Sequence, residues 1–487
     1  MSSALAPIPL LSDVQVAPRS LEAFASVLDA AGVDRVQRGI EEARPVFAGR
    51  TVWNVNSTAR GGGVAEMLGP LLGYAQGIGV SARWVVVRGN PEFFAITKRL
   101  HNRLHGSVGD GGPLGTHERE VYTSTLAPIA RELADRVDRG DIVLLHDPQT
   151  AGMVPALSAL GVPVVWRCHI GADRADDLVR SARHFLRPDV LAADRCVFSR
   201  PAYAWESIPR DRLAFVMPSI DPFSAKNTAM EPSVTEDVLG ASGITDHVPA
   251  HPTTCTIGGR DVPVVRRVEG ERAGPLPAGA RFVLQVSRWD RLKDPVGVID
   301  VFAEHIARQV PDVHLVYAGP SVAGVTDDPE GAAVYEQACA RRAELPEELR
   351  RRVHLLLVPM DDPDENAVVI NALQRTAAIV LQKSLAEGFG LTVTEAMWKA
   401  RPVVASAVGG IVDQIDHDRC GLLVDDPSDL GAFGEAIVTL LQDPARAATL
   451  GAAARERVRH HFLSDRSLID YLHVLTPLAA AAPLDGP

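Results

Sequence analysis

What the sequence lacks narrows the field first. It has no excess of positive charge: 49 Lys and Arg stand against 61 Asp and Glu, a net charge of −12. That sign argues against a general nucleic-acid binder, which carries a basic footprint, yet it leaves room for a local basic pocket. No apolar run is long enough to cross a bilayer, so no membrane partner is expected. Residues 1–18 have no basic start, and Pro7 and Pro9 interrupt their apolar stretch, so they do not read as a signal peptide. Five cysteines (Cys168, Cys196, Cys255, Cys339 and Cys420) are scattered without paired spacing. Such a set fits a reducing compartment, hence the cytoplasm, and offers no zinc site. No internal repeat is visible.

What is there reads as a soluble α/β protein. At 487 residues the chain exceeds what one hydrophobic core usually holds, so two domains are expected. Hydrophobic residues at 46% and charged residues at 23% lie in the globular range. Apolar runs at 51–56, 83–87, 141–145, 162–166 and 196–199 alternate with helix-length gaps. A second series follows at 282–287, 314–318, 354–358, 379–382, 402–405 and 421–424. Strands alternating with helices imply parallel sheets built from βαβ crossovers. The expected organisation is a helical N-terminal extension over 1–48 and a first α/β domain over 49–228. A linker with an inserted loop over 229–280 follows, with a hairpin around Gly258-Gly259. A second α/β domain over 281–462 comes next, then a helix from 463 returning towards the first domain, and a tail. Ligands bind at the carboxyl ends of strands in open parallel sheets, and two such sheets facing one another would form a central cleft.

Several segments carry chemistry. EGFGLTVTE over 387–395 sits between a strand and a helix. Gly388 and Gly390 let backbone approach a ligand, and the helix start favours an anion. The carboxylates of Glu387 and Glu395, one at each end, can each accept bonds from vicinal sugar hydroxyls. Alone, the segment also reads as a glycine-rich turn with solvated glutamates. SRWDRLKD over 287–294 puts Arg288 and Lys293 just past the first strand of the second series. Two cations there can neutralise a diphosphate, although surface loops often carry such charges. Gly61, Gly62 and Gly63 join a strand to a helix in NSTARGGGVAE. This is neither G-x-G-x-x-G nor a P-loop, and it reads either as a close phosphate or sugar contact or as a flexible turn. HDPQ (146–149) and WRCH (166–169) place histidines after apolar runs, where a structural role is the commoner one. Asp361, Asp362 and Asp364 superficially resemble a metal triplet. They sit in a proline-containing loop that reads as a solvated turn, and no metal or other cofactor is expected.

Taken together, the segments resemble the retaining glycosyltransferases of family four, which have the GT-B fold of two Rossmann-like domains with parallel sheets facing a central cleft. Glu387, Glu395, Arg288 and Lys293 are that family's marks. VNSTARGGGVAEML, EFFAITKRLHN, HDPQ, WRCHIGAD, PSIDPFSAKN, QVSRWDRLK and EGFGLTVTEAMWKARPVV are similar to the trehalose glycosyltransferring synthases, over roughly residues 20–228 and 281–475. The resemblance implies that Arg288 and Lys293 hold the donor diphosphate and Glu395 the ribose. It gives Glu387 the donor glucose, helped by backbone N–H groups of Gly388, Phe389, Gly390 and Leu391. Gly61, Gly62 and Gly63 would lie near the donor phosphate, His169 near the reacting carbon, and the backbone from Val358 to Met360 under the base. Asp147, Gln149 and Arg167 would contact the acceptor.

The implied reaction moves glucose from ADP- or UDP-glucose to glucose with retention, giving trehalose. The partners are then a nucleotide sugar and a sugar acceptor; the oligomeric state is left open, a homodimer included. Two departures stand out. The 229–280 connection is longer than that subgroup usually has, and His169 is followed by Ile-Gly-Ala-Asp where relatives often place an acid after the isoleucine. Rival readings are a retaining trehalose phosphorylase using glucose 1-phosphate, a family-four transferase with another acceptor, and a non-catalytic sugar-nucleotide sensor on the same fold.

Overall fold

The structure, a computed structural model, describes residues 9–59, 63–322 and 329–482. The chain divides into two compact units. Met1–Ser219 together with Ser464–Pro487 forms the first, and Ile220–Leu463 forms the second.

In the first unit seven strands make one sheet. They are β1 (Leu11–Val14), β2 (Thr51–Asn56), β3 (Ser81–Val87), β4 (Ile142–His146), β5 (Val164–Cys168), β6 (Arg195–Phe198) and β7 (Leu213–Phe215). Their order is β1-β3-β2-β4-β5-β6-β7. All neighbours are parallel except the edge pair β1 and β3, which runs antiparallel from Leu11↔Val87 to Val14↔Trp84. Every residue of β4 (IVLLH) and β5 (VVWRC) is buried, as expected for central strands covered on both faces. After β3 the chain crosses over β2 to form β4, so the winding reverses between β2 and β4. The carboxyl ends of those two strands mark the switch point where open α/β sheets bind ligands. Beneath it Trp166 packs edge-on against Phe198 and Trp205.

The second unit repeats the plan. Its strands are β8 (Thr254–Ile257), β9 (Arg260–Pro263), β10 (Glu269–Glu271), β11 (Phe282–Val286), β12 (His314–Pro320), β13 (Val353–Val358), β14 (Ile379–Gln382), β15 (Val403–Ser406) and β16 (Leu422–Val424). The main sheet has the order β10-β13-β12-β11-β14-β15-β16 and is parallel apart from the β10 edge. Here the winding reverses between β11 and β14. Among the described residues no helix is long and apolar enough to cross a membrane.

Three expectations change. The 229–280 segment is no linker: it folds within the second unit as a helix (Pro232–Ala241), the β8–β9 hairpin and edge strand β10. The hairpin does turn at Gly258-Gly259, both at positive φ. Buried Glu365 accepts the backbone N–H groups of Val265 (2.6 Å) and Arg266 (2.7 Å) and so fastens the segment down. Its three-residue edge strand is polar and exposed, so no apolar periodicity announced it. The first unit ends at Ser219, not at residue 228. The region before residue 49 is not helical throughout, because β1 joins the sheet and residues 17–19 run along the Gly63–Gly77 helix, with Arg19 N–H on Gly73 O at 2.8 Å.

That last packing is testable within one helix. A Cβ on Gly77 would stand 1.8 Å from the Arg19 carbonyl oxygen, whereas one on Gly69 meets only the Trp84 ring edge at 4.0 Å. Gly77→Ala should cost about 1–3 kcal/mol as overpacking, and Gly69→Ala should be neutral or stabilise by up to about 1 kcal/mol. Urea unfolding of both variants checks this; equal effects would mean that the N-terminal arm does not lie on the helix.

Candidate active site

In the first unit the residues after β4 and β5 form one buried polar cluster. His146 closes β4, and its Nδ1 lies 3.1 Å from His169 Nε2, with the rings stacked at 5.4 Å. Its Nε2 faces Asn54 Oδ1 at 3.2 Å, so β2, β4 and the end of β5 are joined through side chains. Asp147 follows at φ 61° and ψ −177°, a positive-φ, extended conformation that non-glycine residues rarely adopt. The His169 N–H donates to its Oδ1 at 2.7 Å, and the Trp166 indole donates to its carbonyl at 3.1 Å. These bonds hold the strained residue at the strand end, where such strain collects. Arg167 is almost wholly buried and donates to Val216 O (2.7 Å) and Ser199 Oγ (3.2 Å). Arg167 and His169 line a recess together with Val64, Met67, Ser219 and Tyr471.

Burial sets the charges. It pushes His146 down to about 3, helped by Arg167. It takes His169 well below the ordinary histidine value, with Arg167 and His146 adding to the effect. It raises Asp147 to about 7, against the His169 N–H and Arg167, which favour the carboxylate. The cluster is therefore suited to hydrogen bonding with neutral groups. Of the expected residues in this unit, the structure brings His169, Asp147 and Arg167 together. Gln149 sits in the adjoining Pro148–Ala151 turn, half-buried. Gly63 opens its helix and is exposed, while Gly61 and Gly62 lie outside the described residues. Asn54, an inward residue of β2, was missed; nothing separates it in sequence from an ordinary polar strand position.

In the second unit the site grows from β11 and β14. Past β11, Arg291–Lys293 forms a 3₁₀ turn, and Asp294, at φ 46°, caps the next helix through Gly297 N–H at 3.0 Å. Gln285 donates to Lys293 O at 2.8 Å and accepts from Lys383 N–H at 2.9 Å, tying this loop to β14. Lys293 Nζ reaches Glu387 Oε2 at 2.5 Å, with both side chains largely buried, and Ser384 Oγ lies 3.3 Å from the same oxygen. A second ion pair, Lys383 with Asp294, backs the first. Arg288 pairs with Asp290 at 3.1 Å and stays half-exposed, while its carbonyl accepts from Tyr317 Oη at 3.1 Å.

Gly390, at φ 85°, starts the Leu391–Trp398 helix. Gly410 must be small, because a Cβ there would meet Gly388 O and Phe389 Cα at 2.8 Å. The turn from Gly388 to Leu391 is thereby fixed from behind. Glu395 is buried one turn along, with Lys226 Nζ 3.6 Å from its Oε1. Buried Lys399 donates to Glu395 O (3.2 Å) and Asn227 Oδ1 (3.1 Å). Burial lowers the Lys399 ammonium well below its usual range; Glu395 opposes this, and Arg375 and Lys226 add to it. Lys226 escaped the sequence reading because residue 226 was placed in the other domain, and Lys399 was passed over within EGFGLTVTEAMWKARPVV. The motif PSIDPFSAKN was the signal that could have raised Lys226.

Val358 ends β13, buried, and Met360 is half-exposed. Two carbonyls of this stretch are already engaged, Val358 O by Ser321 N–H (3.0 Å) and Pro359 O by Asn366 Nδ2 (2.9 Å). In the acidic loop, Asp362 caps the Pro363–Thr376 helix, Asp364 pairs with Arg260, and Asp361 lies 4.0 Å from Arg266.

Comparison with known proteins gives the family. The family profile "Trehalose synthase, N-terminal domain" matches residues 54–205, and "Glycosyl transferases group 1" matches residues 269–457. A trehalose synthase from Pyrococcus horikoshii is 32% identical over 94% of this chain and 97% of its own length. A trehalose phosphorylase from Grifola frondosa is 25% identical over 91% of this chain but only 61% of its own. Among solved structures, an α,α-trehalose-phosphate synthase (UDP-forming) from Burkholderia vietnamiensis superposes with a TM-score of 0.65 at 16% identity. The match covers 89% of this chain and 100% of that one, a likeness of fold alone.

The buried histidine makes a pH prediction. The unfolded chain binds a proton at His146 below about 6.5, and the fold resists it down to about 3, so stability falls as pH drops through that window. Asp147 acts in the opposite sense, since the fold holds a proton near pH 7 that the unfolded chain releases. Comparison with His146→Gln separates the two. Between pH 7 and pH 5 the wild type should lose about 2 kcal/mol more than the variant in urea unfolding. Equal losses would show that His146 is not held neutral.

Proposed function

The chain belongs to the trehalose synthase family of GT-B glycosyltransferases, and from that premise we propose that it transfers glucose with retention from ADP- or UDP-glucose to glucose, giving trehalose. The observation that carries the donor half is the Lys293–Glu387 pair at the second sheet's switch point. A carboxylate can accept more than one bond, so Glu387 both anchors the lysine and takes a sugar hydroxyl. Lys293 and Arg288 then stabilise the charge that develops on the departing diphosphate, together with the N–H groups that open the Leu391–Trp398 helix. Glu395, held by its lysine neighbours, takes the ribose. In the first unit the uncharged His169, with Asp147 and Arg167, reads sugar hydroxyls.

On this reading the acceptor glucose offers its own anomeric hydroxyl, as the α-anomer. That oxygen bonds to the donor anomeric carbon on the face the diphosphate leaves, and a leaving phosphate oxygen takes the hydroxyl proton. No protein nucleophile is invoked. The cationic charge comes from Arg288 and Lys293, so the reaction is proposed to run in excess chelator.

The product decides the reading. ADP-glucose or UDP-glucose with free glucose should yield an α,α-1,1-linked disaccharide by NMR. The same product from glucose 1-phosphate alone would make the chain a phosphorylase, and none from either donor would mean a different acceptor. A second measurement tests the charge argument: Lys293→Ala should cost about 2–4 kcal/mol of transition-state stabilisation, mostly in kcat. Near-normal turnover would remove Lys293 from the diphosphate.

A further inference from the structure

The ligand-facing end of the first unit's polar cluster has a direction. Asn54 lies with its Oδ1 3.2 Å from His146 Nε2 and its Nδ2 buried without a partner among the described residues; with the amide so oriented the oxygen accepts, and His146 Nε2 carries the proton. His146 Nδ1 is then a lone pair, and the neighbouring His169 Nε2, 3.1 Å away, must be the donor. A neutral imidazole that donates through Nε2 keeps a lone pair on Nδ1. His169 Nδ1 is buried and meets no partner among the described residues, on a ring that lines the recess beside Arg167. Leaving a buried nitrogen unpaired costs about 1–3 kcal/mol, a penalty that a bound ligand's hydroxyl would remove.

We propose that Asn54 and His146 form a hydrogen-bond relay that fixes His169 as the Nε2–H tautomer, so that its Nδ1 accepts from a sugar hydroxyl. Asn54 and His146 are positioning residues here, acting through His169. The inference rests on the transferase reading for the identity of the ligand, but the tautomer itself does not. It also separates two substrate classes. A hydroxyl can donate to a bare nitrogen lone pair, whereas inorganic phosphate near pH 7 presents mainly acceptor oxygens and needs a donor. The burial that keeps both rings uncharged works in the same direction. The relay therefore selects a neutral sugar at this point of the first unit.

Histidine-selective ¹⁵N NMR of the intact protein at pH 7 tests the proposal, with His169→Gln and His146→Gln used for assignment. The expected result is a protonated-type Nε2 and a bare Nδ1 on His169. The Nδ1 resonance should move when trehalose is added and stay in place with inorganic phosphate. A Nδ1–H tautomer, a rapidly exchanging mixture, or a response to phosphate in place of trehalose would overturn it. His146→Leu should lower turnover about three- to ten-fold, the worth of one hydrogen bond, with binding of the free nucleotide diphosphate unchanged. His146→Gln, whose amide oxygen can accept from His169, should recover most of that loss. If the tautomer is as stated but no disaccharide forms, the relay stands and the reaction assignment fails; the reverse pair of results sinks the relay alone.

Discussion

A parallel sheet whose winding reverses must leave two neighbouring strands with their carboxyl ends uncovered by a crossover, and the chemistry of both units depends on that constraint. In the first unit the reversal falls between β2 and β4, in the second between β11 and β14. No crossover helix roofs these two strand ends, so the side chains placed there are buried largely against one another. They can be polar without breaking a core, and the residues that follow those strands are polar: Asp147 after β4, and Arg288, Lys293, Lys383 and Glu387 after β11 and β14.

The two switch points are tuned in opposite ways. In the first, burial outweighs nearby charge. Two stacked histidines stay neutral, and the buried aspartate is pushed towards neutrality. In the second, ion pairs keep charge in place: Lys293 on Glu387, Lys383 on Asp294, and Lys226 on Glu395. Breaking such a pair leaves an uncompensated charge with little access to water, so each partner fixes the other's geometry. A cluster of largely uncharged groups around Arg167 and a set of paired charges are different instruments, and the proposed transfer would use both.

Much of this was legible in the sequence because parallel strands buried on both faces are nearly continuous apolar runs. Eleven such runs were read, and β2 to β6 and β11 to β16 lie on them within a few residues. The strands that escaped were edges: β1, β7 and β10, short and partly or wholly exposed, where no periodicity separates strand from loop. The site was legible where a motif joined a strand to a turn, as in Glu387–Glu395 and Lys293. Asn54 was illegible, since its importance lies in facing His146 across β2 and β4, and register is not written in either strand alone.

The misplaced boundary shows how a motif can be read correctly and still be assigned to the wrong neighbour. PSIDPFSAKN follows the first unit's last strand, which made residue 228 a natural end. Physically the second unit takes hold earlier. Asn371 donates to Ala225 O and Thr228 O, each at 3.0 Å. Arg375 donates to Thr228 O at 2.8 Å, Trp398 Nε1 to Asn227 O at 3.2 Å, and Lys399 to the Asn227 side chain. Three side chains from two helices thus satisfy backbone carbonyls that an ordinary linker would give to water, and Lys399, just past the second helix, holds the Asn227 side chain. A buried segment without helix or sheet of its own must have its backbone groups met in some other way. Of these residues, Lys399 also donates to the backbone carbonyl of Glu395, at 3.2 Å. The stretch that looked like the end of one unit therefore supplies, through Lys226, one wall of the other unit's site.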